Sequence, residues 1–119
     1  MKNFLTLAST LAILLSATVA HANFYDGTWL NAALLKDEKA RKEKVPAADA
    51  QEGALAVGYV IGIVDGFEAA QLLCVPDKVT VEQVIAMVQK TLKESPDKWN
   101  QPADVLVLQA LKPAWTCKK

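Results

Sequence analysis

One histidine and two cysteines carry all the imidazole and thiol chemistry in this 119-residue sequence. The histidine, His21, falls in a leader-like segment. Residues 1–22 combine a basic start at Lys2, an apolar run from Leu5 to Val19, and an Ala20-His21-Ala22 ending of the small-x-small kind that precedes signal cleavage. That pattern predicts export to an oxidising space and a mature chain of 97 residues starting at Asn23, with no histidine left. The commonest general base and metal ligand is then missing, and no metal-binding spacing survives, so neither a metal nor a cofactor is expected. Excess charge of one sign is missing too. Thirteen Lys and Arg balance thirteen Asp and Glu, and loss of Lys2 leaves a formal charge of about one negative, which is no electrostatic footprint for nucleic acid or an anionic membrane. Long apolar runs are absent beyond the leader. The charge-free stretch from Ala54 to Val64 ends at Asp65, well short of the roughly 20 residues that span a bilayer, so it reads as a buried helix and the cleaved chain has no membrane anchor.

What the sequence does have is a pair of well-placed cysteines. Cys74 closes the central apolar segment in Leu72-Leu73-Cys74-Val75-Pro76, and Cys117 stands three residues from the end. In an oxidising compartment two cysteines form an even set with a single intramolecular connectivity, and one Cys74–Cys117 disulfide is expected; two free thiols are the competing reading. A chain this short buries only about 60 to 65% of its unfolded surface, so a covalent staple matters.

The remaining pattern is helical, with almost no strand alternation. A first helix follows the turn-like Asp26-Gly27, with Trp29, Ala32, Ala33 and Leu34 leading into a charged tail from Lys36 to Lys44. Within that tail Glu38 and Lys42 form a favourable four-residue ion pair and Lys39 and Glu43 the weaker reverse order. Val45-Pro46 breaks the run and places Pro46 in the first turn of a second helix reaching about Leu73. Along it Gly58, Gly62 and Gly66 recur every four residues, a flat stripe on which another helix could lie. Thr80 with Gln83 forms a capping box for a third helix carrying Val81, Val84, Ile85, Val88 and Leu92. A fourth helix enters at Pro102, has Ala103, Leu106, Val107, Ala110 and Leu111 on one face, and is expected to stop at Lys112-Pro113. The predicted fold is all-α: a compact bundle of four to five helices in one domain over residues 23–119, with the disulfide clasping the C-terminus to the central helix.

Catalysis has little to work with. Asp65 and Glu68, three residues apart on one helix face, are the one carboxylate pair placed to suggest acid and base. Asp65 as a structural hydrogen-bond acceptor is the preferred reading. The chain does not read as an enzyme.

From Gly58 onward the order of features is Gly58-Tyr59-Val60-Ile61-Gly62-Ile63-Val64-Asp65-Gly66, then Cys74-Val75-Pro76, Val79-Thr80 with Gln83, Leu92, Pro96, Ala103, Ala110-Leu111 and Ala114-Trp115-Thr116-Cys117. That order resembles the Rap1a/Tai family across about 60 of the 97 mature residues. The resemblance implies small helical periplasmic immunity proteins, working as homodimers that block the active site of a peptidoglycan amidase effector delivered by a type VI secretion system. Many relatives carry a second cysteine pair, one member near the end of the first helix and one just before the Gly-Tyr, where this chain has Val57. Both partners are absent here, which avoids a lone reactive thiol.

Occlusion needs only a rigid surface that plugs a cleft. The connector residues Glu94, Ser95, Asp97, Lys98 and Trp99 are the candidates for partner binding, since a tryptophan rimmed by charge is typical of interface anchors. Trp99 simply capping the core is the competing reading. Two other functions compete with immunity. One is a periplasmic acid-stress chaperone similar to the HdeA-like proteins, because loss of charge from thirteen carboxylates would leave a strongly positive chain. The other is a family member with no toxin partner.

Overall fold

The computed structural model describes residues 24–118, and the leader expected over residues 1–22 lies outside them. Four α-helices and one short 3-10 turn make up the described chain: α1 Gly27–Lys42, α2 Ala47–Ala69, α3 Val81–Glu94, the turn Pro96–Lys98, and α4 Ala103–Trp115. The all-α expectation and the Cys74–Cys117 disulfide are both present.

Local chemistry explains most helix ends. Asp26 caps α1 by accepting from the Trp29 N–H at 2.9 Å. Lys39, Arg41 and Lys42 occupy its last turn, where cations meet the negative end of the helix dipole. The capping box of α3 is complete: Thr80 Oγ1 accepts from Gln83 N at 3.2 Å, and Gln83 Oε1 accepts from Thr80 N at 2.8 Å. Pro46 and Pro102 stand one residue before their helices rather than inside the first turn. α2 ends at Ala69, short of the expected Leu73, because the chain turns out through Gln71 in the left-handed region at φ 58°. Leu72 N then bonds back to the Phe67 carbonyl at 2.8 Å, closing the helix end. Sequence reading missed this stop because glycine, its usual marker, is not there.

The expected stop at Lys112-Pro113 is also corrected, since α4 runs on to Trp115 with Pro113 inside it. Proline removes the one N–H that would have reached the Gln109 carbonyl, and the helix has only two residues left to run beyond it. Thr116 Oγ1 donates to the Lys112 carbonyl at 2.5 Å, satisfying one exposed acceptor of the helix end.

Leu30, Leu34, Val60, Leu73, Val88, Leu92, Val107 and Leu111 are fully buried and form one cluster shared by all four helices. Each such side chain contributes roughly 1.5 to 3 kcal/mol of apolar burial. α1 and α2 run antiparallel with their backbones in close contact at Gly53, where a Cβ would lie 2.6 Å from Asp37 N and 2.7 Å from Asp37 Cα. Beside this contact Lys36 bridges Glu52 and Asp49, the latter at 3.2 Å. Glu52 first and then Asp49 raise the lysine's pKa by hydrogen bonding.

Glu38 is one of the polar links between α1 and α3. It accepts from Lys42 at 2.8 Å and lies 3.8 Å from Lys93 and 3.5 Å from Gln89 of α3. Bonding to Lys42, then the charges of Lys42 and Lys93, hold its pKa below the ordinary carboxylate value of 4.5. A carboxylate whose folded pKa is depressed stabilises the protein above its unfolded pKa, and that contribution is lost as pH falls through the lower folded value. Glu38→Gln is therefore expected to flatten the fall of melting temperature with acidification below about pH 4.5. Thermal scans in small pH steps check this, and a slope identical to the parent's would refute the link.

Candidate interaction surface

The α3–α4 connector is a tight, internally bonded loop. Lys98 N donates to the Ser95 carbonyl at 3.0 Å, Trp99 N to Pro96 at 3.3 Å, and Gln101 N to Lys98 at 2.9 Å. Its far side is zipped to the start of the described chain: Gly27 N donates to Gln101 O, Thr28 N to Trp99 O, and Ala103 N to Tyr25 O, each at 3.0 Å. Gly27 is required at this seam, because a Cβ there would lie 2.8 Å from Trp99 Cα. These bonds tie the connector to its own helix ends and to the chain before α1, and a loop held by such bonds loses less entropy on docking.

The five residues singled out by sequence do not all face the same way. Glu94, Asp97 and Lys98 are exposed and Ser95 is half-buried. Trp99 is half-buried against the core, and its Nε1 donates at 2.8 Å to the Leu92 carbonyl, which also takes a longer bond from Ser95 N at 3.4 Å near the end of α3. The tryptophan thus anchors the loop from beneath while the charged side chains stand above it.

Sequence reading missed a second feature at this end. Tyr25 and Trp29 stack with ring centroids 3.8 Å apart, and Tyr59 of α2 meets both edge-on at 5.2 and 5.7 Å. All three are partly exposed. Burial raises the Tyr59 pKa, with the Asp104 charge adding to it. The centroid spacings leave no gap between the rings, so the cluster offers a surface rather than a cage. Its sequence signal was slight: Tyr25 and Trp29 sit four apart across the cap of α1, and Tyr59 lies inside the glycine pattern.

The carboxylate pair on α2 divides. Asp65 is exposed, while Glu68 accepts from Val75 N at 3.1 Å and so braces the segment that leaves the helix. The acceptor role expected of Asp65 falls to its neighbour. Between α1 and α3 a shallow hollow of about 110 Å³ is lined by Asp37, Glu38, Arg41, Glu82 and Gln89, but its charges already answer one another, Arg41 lying 2.8 Å from Asp37 and 3.8 Å from Glu82. Among the described residues no group of His, Cys, Asp and Glu is arranged to hold a metal ion, and no helix is long and apolar enough to cross a membrane.

A family model described as Rap1a immunity proteins matches residues 28–117, from the first turn of α1 to the second cysteine of the disulfide. The chain belongs to the Rap1a immunity protein family. No curated protein and no solved structure matches it. The matched span takes in α2, α3, α4 and the connector of this Rap1a domain and all of α1 but its first residue. The seam between connector and chain start lies partly outside it, since Tyr25, Asp26 and Gly27 precede residue 28.

Proposed function

We propose that this protein is a periplasmic immunity protein that binds a cognate peptidoglycan amidase effector of a type VI secretion system and occludes its active site. The observation that carries this reading is the family match over residues 28–117. Residues 1–22 act as a cleaved signal peptide, the mature chain starts at Asn23, and it works as a homodimer without enzymatic activity. The prebuilt connector supports occlusion as the mechanism, because a loop that is rigid before contact can enter a cleft without ordering first. Glu94, Ser95, Asp97 and Lys98 would meet the effector directly. Trp99 would hold the loop from below.

The test is inhibition of type VI peptidoglycan amidase effectors from the same bacterium, assayed on purified peptidoglycan at neutral pH. Stoichiometric inhibition is the expected result. Asp97→Lys combined with Lys98→Glu should weaken it about tenfold or more, the scale on which interface anchors act, with an unchanged melting temperature because both side chains are exposed. Undiminished hydrolysis at a molar excess of the protein would overturn the proposal. Binding of many unfolded clients at pH 2 to 3, with no folded partner at neutrality, would favour the acid-stress chaperone instead.

A further inference from the structure

The glycine stripe of α2 is bare: a Cβ on Gly58, Gly62 or Gly66 would meet no neighbouring atom within 4 Å, so the helix expected to lie on it does not. The connector end is built differently. Ala103 N donates to Tyr25 O, Gly27 N to Gln101 O and Thr28 N to Trp99 O, and Asp26 pairs with Pro102 in an antiparallel bridge. At the roughly 5 Å spacing of paired backbones, a partner that reaches the connector also reaches the segment zipped to it.

That segment supplies what the connector lacks. With Trp99 bonded inward to Leu92, the exposed side chains of the connector that were expected to bind, Glu94, Asp97 and Lys98, are all charged. Beside them Tyr25, Trp29 and Tyr59 are partly exposed and hold one another by stacking and edge contacts. Phe24, next to Tyr25, is 88% exposed. We propose that Phe24, Tyr25, Trp29 and Tyr59 form the apolar centre of the effector-binding surface, with the connector as its charged rim. The inference rests on the effector reading above and adds its anchor. Phe24 and Tyr25 precede residue 28, so they lie outside the matched span.

Three observations select the effector as occupant. A stable interface takes about 800 Å² and roughly 20 to 30 residues from each partner, so a five-residue connector cannot hold an effector without the surface adjoining it. Interface centres are enriched in Tyr, Trp and Phe, and the connector's other neighbour, the hollow lined by Met87, Lys90, Thr91, Glu94 and Ala110, has no aromatic ring. Across residues 24–29 and 94–104 the charged side chains are Asp26, Glu94, Asp97 and Asp104 against Lys98. A second copy would be repelled there, whereas an effector patch with an apolar centre and a Lys and Arg border is complementary.

The test is titration of these variants against the purified amidase effector that the parent inhibits. Phe24→Ser is expected to weaken the affinity about tenfold or more at an unchanged melting temperature, since the side chain is exposed. Trp29→Ala should weaken it further; its ring also packs on Tyr25 and Tyr59, so if that variant unfolds Phe24→Ser decides. Asp104→Asn, at an exposed position, should slow association and flatten its fall with added salt. Parental affinity in both Phe24→Ser and Asp104→Asn would overturn the inference and leave occlusion by the connector standing. A parent that inhibits no such effector would remove the proposed function and this surface together. A dimer of the protein alone that Phe24→Ser converts to monomer in sedimentation would identify a second copy as the cover, and would also overturn it.

Discussion

Replacing Cys117 by Ser is expected to lower the melting temperature by more than about ten degrees. The disulfide joins residues 43 apart in sequence, and closing a loop of that length removes roughly 4 kcal/mol of unfolded-state entropy in the chain-entropy description. In a domain of this size each kcal/mol moves the midpoint by about 4 to 8 degrees. Little else holds the clasp in the folded state. Residues 116–118 have no regular structure, and the backbone bond across the junction is Cys74 N to Trp115 O at 2.8 Å. Next to it Leu73, 1% exposed, belongs to the core, so loosening the clasp also frees a buried anchor. Thermal unfolding of Cys117→Ser beside the parent, with and without a dithiol reductant, measures the effect. The reduced parent should match the variant, and a shift of only about one degree would show that the bridge stabilises nothing.

Gly53→Ala should cost about 2 kcal/mol, near ten degrees in melting temperature, although alanine is the better helix former. The added methyl would be driven into Asp37 N and Cα at 2.6 and 2.7 Å. Those are backbone atoms of a packed helix, so relief requires α1 and α2 to separate. Separation would also pull Lys36 from Asp49 and Glu52. The same substitution at Gly62 has the opposite expected sign for the monomer, which makes the pair a controlled comparison: identical chemistry and the same helix, with only the neighbour different. Denaturant melts of the two variants decide it. Equal effects at both positions would mean that helix propensity, and not the approach of α1, governs Gly53.

Much of the fold was legible in the residues. Thr80 and Gln83 announce the start of α3, Asp26 that of α1, and the spacing of Leu106, Val107 and Leu111 the inner face of α4, because caps and periodicity involve groups within a turn of one another. The endings were harder. α2 stops at Ala69 through a left-handed Gln71 that no glycine advertises, and α4 passes through Pro113, giving up a single backbone bond two residues before its end. At the candidate site the exposed charges of the connector were readable, but the inward turn of Trp99 was not, since it depends on a Leu92 carbonyl seven residues back. The aromatic cluster was missed for a similar reason. Tyr59 reaches Tyr25 and Trp29 only once α1 and α2 have folded against each other.

By itself the sequence determined the helical class, the capped starts of α1 and α3, the single disulfide and the lack of histidine chemistry after residue 22. All of these follow from composition or from interactions between near neighbours. Only the tertiary structure decided which glycines are contacts and which are bare. Gly53 and Gly62 share a residue type, a helix and a local conformation, and they differ in whether Asp37, sixteen residues before Gly53, stands against them. Burial is set by distance in space between segments remote in the chain, and no local pattern of residues encodes that distance.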